Sequence, residues 1–375
     1  MPPDTTPTPP NTAKRIALFL ARPDLFSWAL LWLMILLITG TLEIKTGGLY
    51  EAQRRYFSSV VLWAWDAVPL PGVAAVSAWI LLGLIARLYL YPWTKANAGT
   101  VIVHAGAAML LLGGFVTAQF SREGGMAIPE GQSRSWIEDY HRVELAATPA
   151  DGREATFPEG ALAPGAALRA DGLPFSLDIV AYCRNCALKR LPSTRTEGKP
   201  HGVALNFDLA PLPRDPVDER NRAGITFRLR GAGGEDGLYT VFEGMPIPQA
   251  VEAGGRGYLI DIRRARTPLP FSIELLKFTR DIYPGTDTPR GFESEVRLRD
   301  GGVEWRALIR MNEPLRYKGY TFYQAAFEDG GDGNVKTVLA VVDNPGRLFP
   351  YISSIVICGG IAIHIALRLS RGRKA

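Results

Sequence analysis

The apolar residues of this chain gather into four long runs, and the rest of it holds only short ones. The long runs extend from Pro23 to Leu42, Val73 to Tyr91, Thr100 to Phe120 and Tyr351 to Leu369. A bilayer core about 30 Å thick takes roughly 20 apolar residues in a helix, so each run predicts one membrane span. Arg87 lies near the end of the second run, where its stem can snorkel to the headgroups. Burial of all four inside a water-soluble fold is the alternative, and their near-complete lack of charge weighs against it. A cleaved leader is the alternative for the first run, which Lys14, Arg15 and Arg22 precede. That run is long for a signal core, and Thr41-Leu42-Glu43 is a poor small-residue cleavage site.

Between the third and fourth runs the pattern changes to short alternating stretches broken by Gly, Pro and Asp. Val203–Leu209, Ile225–Leu229, Phe271–Phe278, Tyr320–Ala325 and Val338–Asp343 read as strands, and no long amphipathic helix stands out. The region predicts an all-β sandwich or barrel. It also echoes itself. Gly125-Met126-Ala127-Ile128-Pro129 returns as Gly244-Met245-Pro246-Ile247-Pro248, and Leu173–Asp178 (LPFSLD) returns as Leu269–Glu274 (LPFSIE), with Tyr-led strands at Tyr140–Leu145 and Tyr258–Ile262 between. Matches in the same order predict two related β-units.

The expected fold class is therefore an integral membrane protein of four transmembrane α-helices, three N-terminal and one C-terminal, with a large all-β extracytoplasmic domain. Its expected parts are an N-terminal tail (1–22), three spans (23–120) with an outer loop at 43–72, the β-rich domain (121–349), the fourth span (350–369) and a basic tail (370–375). Orientation follows from the cations beside the spans. Lys14, Arg15 and Arg22, then Arg87 and Lys95, then Arg368, Arg371, Arg373 and Lys374 all fall on one side when four spans are counted, which makes both termini cytoplasmic. Lys45, Arg54 and Arg55 in the outer loop are accompanied by Glu43, Glu51 and Asp66. The formal net charge of +5 sits at these flanks rather than on a folded face, so nothing supports a nucleic-acid partner.

Candidate chemistry is sparse. His104 and His364 are the two of four histidines that lie inside spans, both toward the cytoplasmic end, and at 1.5 Å per residue they fall at about the same depth. An ionisable side chain in a span is costly and is a functional candidate. A neutral imidazole is a good axial ligand for haem iron; a hydrogen bond to a neighbouring helix is the plainer role. Cys183-Arg184-Asn185-Cys186 is a C-x-x-C at a strand end. Ala187 follows it, so it is not a c-type haem attachment sequence. It is either a redox pair or a structural disulfide; exchange pairs normally open a helix. With three cysteines there is no disulfide framework, and Cys358 reads as a small packing residue. Trp63-Ala64-Trp65-Asp66 reads as an interfacial aromatic anchor, and His141 and His201 as surface residues.

Two sets of motifs carry a family resemblance. The first is Ile38–Leu42 (ITGTL), Gly48–Gln53 (GLYEAQ), Tyr56–Ser59 (YFSS) and Pro69–Gly72 (PLPG). The second is Tyr283–Thr286 (YPGT), Phe292–Ser294 (FES) and the long run Met311–Ala325 (MNEPLRYKGYTFYQA). Together they resemble the ResB-like (CcsB-type) proteins of system II cytochrome c biogenesis over nearly the whole chain. The resemblance implies a protein of the bacterial cytoplasmic (inner) membrane with a periplasmic domain. It implies a ResC/CcsA-type membrane partner that holds the tryptophan-rich haem-handling motif, and a joint role in haem transport and its attachment to apocytochrome c. His104 matches the family's third-span histidine, an axial haem ligand; His364 has no such match. The chain carries no ResC half and no full tryptophan-rich motif, so it is expected to be an accessory subunit rather than a complete synthetase. A membrane-anchored thiol reductant acting through Cys183 and Cys186, and a scaffold that binds no haem, are the alternatives.

Overall fold

The computed structural model describes residues 11–65, 67–286, 289–329 and 335–372. Asp66, the first ten residues of the expected N-terminal tail, and Arg373 and Lys374 of the basic tail lie outside the described residues. The chain divides into a helical unit, residues 1–122 and 343–375, and a β unit, residues 123–342.

The helical unit comprises α1 (Thr12–Leu20), α2 (Pro23–Gly47), α3 (Leu49–Ala52), α4 (Val73–Leu90), α5 (Ala98–Phe120) and α6 (Phe349–Gly372). Helices α2, α4, α5 and α6 are long and apolar enough to cross a membrane, and only 11–17% of each apolar window is buried inside the protein. Helices that formed the core of a soluble fold would be mostly covered, so these surfaces are built for an apolar solvent. α2 opens with Pro23, whose missing N–H costs nothing at the first helical position, and ends where Gly48 turns to φ 83°. Residues 12–20, expected only as tail, form α1, with Phe19 edge-on to Trp79 of α4 at 6.0 Å.

The motifs at the front of the chain turn out to shape the loop between α2 and α4. Gly40 leaves room for Tyr56 and Phe57, which fold back onto α2 after α3. Strands Val61–Ala64 and Val68–Pro71 form a small hairpin, held to α2 by the Trp32 indole donating to Pro71 O at 2.9 Å. Gly72 presses against Ser59 too closely for any side chain. Trp65 sits at the hairpin tip, at φ 50° and 88% exposed.

α5 and α6 run antiparallel along a stripe of glycines. A Cβ at Gly99 would lie 2.5 Å from His364 N, one at Gly106 2.6 Å from Ile357, and one at Gly113 would enter Phe349; Gly360 answers from α6 against Val103. Between apolar helices in lipid, close backbone approach through small residues is the main source of attraction. Cys358 is exposed on the outer face of α6 rather than packed in this seam.

The β unit is built on two long strands, Ser133–Pro149 and Arg256–Ile282, paired antiparallel within a ten-stranded sheet. A second, four-stranded sheet runs in the order Gly237–Phe242, Gly224–Arg230, Ser176–Cys183, Ala167–Leu168. Along Arg256–Ile282 the buried positions are first even (Tyr258, Ile260, Ile262) and then odd (Leu269, Phe271, Ile273, Leu275). The register shifts between Arg264 and Arg266 and again between Pro268 and Ile273. Pro268 and Pro270 have no N–H to give the ladder, and an inserted residue sends every later side chain to the other face. One strand thus serves two cores. The first lies between the sheets, around Leu145, Leu177, Ile225, Phe227 and Tyr239; the second is around Ile128, Val296, Leu298, Phe322 and Leu339.

The segments that echo each other in the sequence take different local structures. Residues 125–129 end a strand, whereas 244–248 form a turn and loop; 269–274 lie inside a strand, whereas 173–175 precede one. The Tyr-led segments do meet, but as partners in one ladder, Ile262 opposite Leu145. The back-half motifs are likewise architectural. Lys318 (φ 45°) and Gly319 (φ 90°) make the two-residue hairpin turn between Leu315–Tyr317 and Tyr320–Asp329, and the Tyr317 hydroxyl donates to Asp300 at 2.5 Å.

Candidate functional site

His104 stands in the second turn of α5, half-buried, with its Nδ1 2.8 Å from the carbonyl oxygen of Thr100 one turn earlier. A carbonyl can only accept, so in the neutral ring Nδ1 carries the proton and Nε2 keeps its lone pair. A hydrogen bond of this kind fixes the tautomer and ring orientation of metal-binding histidines. Among the described residues Nε2 has no hydrogen-bond partner. The ring lines a cavity of about 210 Å³ whose walls include Arg22, Pro23, Phe26, Leu84 and Arg87. Arg22 is held by Asp24 at 2.5 Å, and the Arg87 guanidinium lies 5.0 Å over the ring of Tyr91 with no carboxylate against it among the described residues.

His364 is placed differently. Its Nδ1 lies 3.3 Å from the Thr100 hydroxyl. The α5–α6 register sets it level with Gly99, five residues from His104, or about 7.5 Å along the axis. The expectation of equal depth therefore gives way at the backbone: Thr100 joins the two histidines, its carbonyl to one and its hydroxyl to the other.

Cys183 and Cys186 form a disulfide between the end of one strand and the start of the next. Cys186 is buried, its sulfur close to Gly224, and both cysteines stand on strands rather than at a helix N-terminus, the usual place of a stabilised thiolate. Arg184, between them, is 8% exposed and reaches Asp218 at 3.0 Å, Glu159 at 3.5 Å and the carbonyl of His141. His141 Nδ1 lies 2.9 Å from the same Asp218 carboxylate. Burial would raise the Asp218 pKa, but the His141 hydrogen bond and the Arg184 charge outweigh it and hold the group below the usual carboxylate range. Arg264–Glu243 (2.8 Å) and Arg263–Glu144 (3.1 Å) extend this charged seam, and there burial raises the Glu144 pKa. His141 is thus part of a buried ion network, and His201 stacks on Tyr239 at 4.8 Å; neither is the plain surface residue expected. A cavity of about 350 Å³ opens on the seam beside Arg222, Glu243 and Arg264. Among the described residues no cluster of His, Cys, Asp and Glu is disposed to hold a metal ion.

Four helices long and apolar enough to cross a membrane, one of them carrying His104, and a β-rich unit define the class: a membrane protein with a large β domain. Residues 226–348 match the family described as ResB-like, and the resemblance carried by the motifs stands. The chain is also similar to a protein named NrfI from Wolinella succinogenes, 27% identical over 320 residues. That alignment covers 80% of this chain and 30% of NrfI, so the chain spans less than a third of that relative's length.

Proposed function

We propose that this protein is a membrane subunit of a cytochrome c biogenesis system, assisting haem delivery across the membrane and attachment to apocytochrome c with a ResC/CcsA-type partner. The carrying observation is His104: an imidazole in a helix apolar enough to span a membrane, its Nδ1 held by the Thr100 carbonyl and its side chain lining a cavity, in a chain with a ResB-like segment. In this reading haem is cargo, His104 supplies one axial nitrogen, and the partner supplies the other. The offset of His364 and its contact with Thr100 support an interchain pair over an intrachain one. The β unit lies on the periplasmic side, where it positions the apocytochrome or the partner.

The buried Cys186 and the disulfide at a strand junction support a staple in preference to a thiol reductant. Removing the protein from its host should abolish covalent haem attachment to c-type cytochromes, and tagged protein should co-purify with a multi-span partner. Reporter fusions within residues 93–97 should read cytoplasmic and those between 122 and 346 external. Intact cytochrome c in the deletion strain, or a cytoplasmic signal from the β unit, would refute the proposal.

A further inference from the structure

Next to His104, the cavity has a polarity of its own. Phe26, Leu84 and Pro23 give it apolar walls, and Arg22 and Arg87 place two guanidinium groups at its edge, from the start of α2 and the last turn of α4. Two cations and an unprotonated imidazole nitrogen around one small apolar space suit a ligand with an electron-accepting centre and a carboxylate margin. At about 210 Å³ the space is smaller than the roughly 300–1,000 Å³ of pockets that enclose a whole drug-sized ligand, so it receives an edge. The two arginines differ. Arg22 already spends its Nε and one Nη on Asp24, at 3.0 and 2.5 Å. Arg87 rests over Tyr91 with no anion against it among the described residues.

Resting on the haem reading above, we infer that Arg87, with Arg22 behind it, binds the carboxylate side chains of the porphyrin and orients the macrocycle so that its iron meets His104. The part of the ring that the cavity does not hold then extends over the exposed helix surfaces that a partner subunit would cover. A guanidinium near a span end also serves simply as a snorkelling anchor, and that role carries no preference for carboxylates.

The test uses the full-length protein in detergent, titrated with haem and with haem dimethyl ester, whose carboxylates are masked. Absorbance reports ligation in the wild type and in the His104→Ala, Arg87→Gln and Arg22→Gln variants. The wild type should bind haem roughly tenfold more tightly than the ester, the value of a charge-assisted contact. Arg87→Gln should erase that preference by weakening haem and sparing the ester, and Arg22→Gln should reduce it less. Equal binding of haem and ester by the wild type, with His104-dependent spectra, would overturn the role of the arginines and leave the haem reading standing. Spectra that do not depend on His104 in any variant would overturn both.

Discussion

The two units keep their charges in opposite ways. The β unit buries Arg184, Asp218, Arg263, Glu144, Arg264 and Glu243 in a seam of mutual ion pairs, each side chain 8–15% exposed. In the spans of the helical unit the ionisable groups are few, and they stand at the ends or turn to one cavity. Its cohesion comes instead from glycine-mediated backbone approach and from one small cluster around Leu36, Leu62, Val76 and Ile80. A unit that satisfies its polar groups internally is complete by itself in water. One that leaves Trp28, Leu42, Ile355 and Leu369 66–73% exposed is finished by lipid or by another subunit.

The largest effect that would break this contrast is in the seam. Asp218→Ala removes the carboxylate that Arg184 and His141 share, and removing one partner of a buried pair costs about 3–5 kcal/mol, readable by chemical denaturation of the β-unit signal. Loss of under 1 kcal/mol would show the seam to be water-screened and the contrast false.

In the helical unit, Gly106→Leu should cost about 1–3 kcal/mol by overpacking the α5–α6 contact. Gly114, which has nothing within 4 Å of its Cβ position, should accept the same change with little effect on thermal stability in detergent. Equal effects at the two sites would remove the glycine stripe as the source of pairing.

Smaller again is the disulfide. It closes so short a loop that Cys183→Ser with Cys186→Ser should cost at most about 2 kcal/mol and leave cytochrome maturation intact. A maturation defect rescued by an added thiol reductant would restore the redox alternative.

The smallest effect is a pH dependence. The Asp218 pKa lies below its unfolded value, so its contribution is present above the unfolded pKa and is lost as pH falls through the folded one. Asp218→Asn should flatten the acid limb of the stability profile. An unchanged limb would mean that Asp218 titrates normally.

The same contrast explains what could be read from the residues alone. The four spans were legible because length and lack of charge suffice to define them, and His104 was legible because an imidazole in such a run is conspicuous. The seam was not. His141 and Asp218 lie 77 residues apart and Arg263 and Glu144 119 apart, and no local pattern distinguishes them from surface charges. The echoed motifs misled because short Gly-Pro sequences suit a turn as well as a strand end. Arg87 was visible as a snorkelling residue, but its place beside His104 depends on α2, α4 and α5 converging, which periodicity does not report.

Haem retention by the His104→Ala protein, purified with the proposed membrane partner, tests the reading most directly. Loss of one axial nitrogen should lower the bound haem and shift its absorbance, imidazole in the buffer should restore part of it, and His364→Ala should change little. Full haem content and an unaltered spectrum in the His104→Ala complex would contradict the ligand role and leave the chain a scaffold.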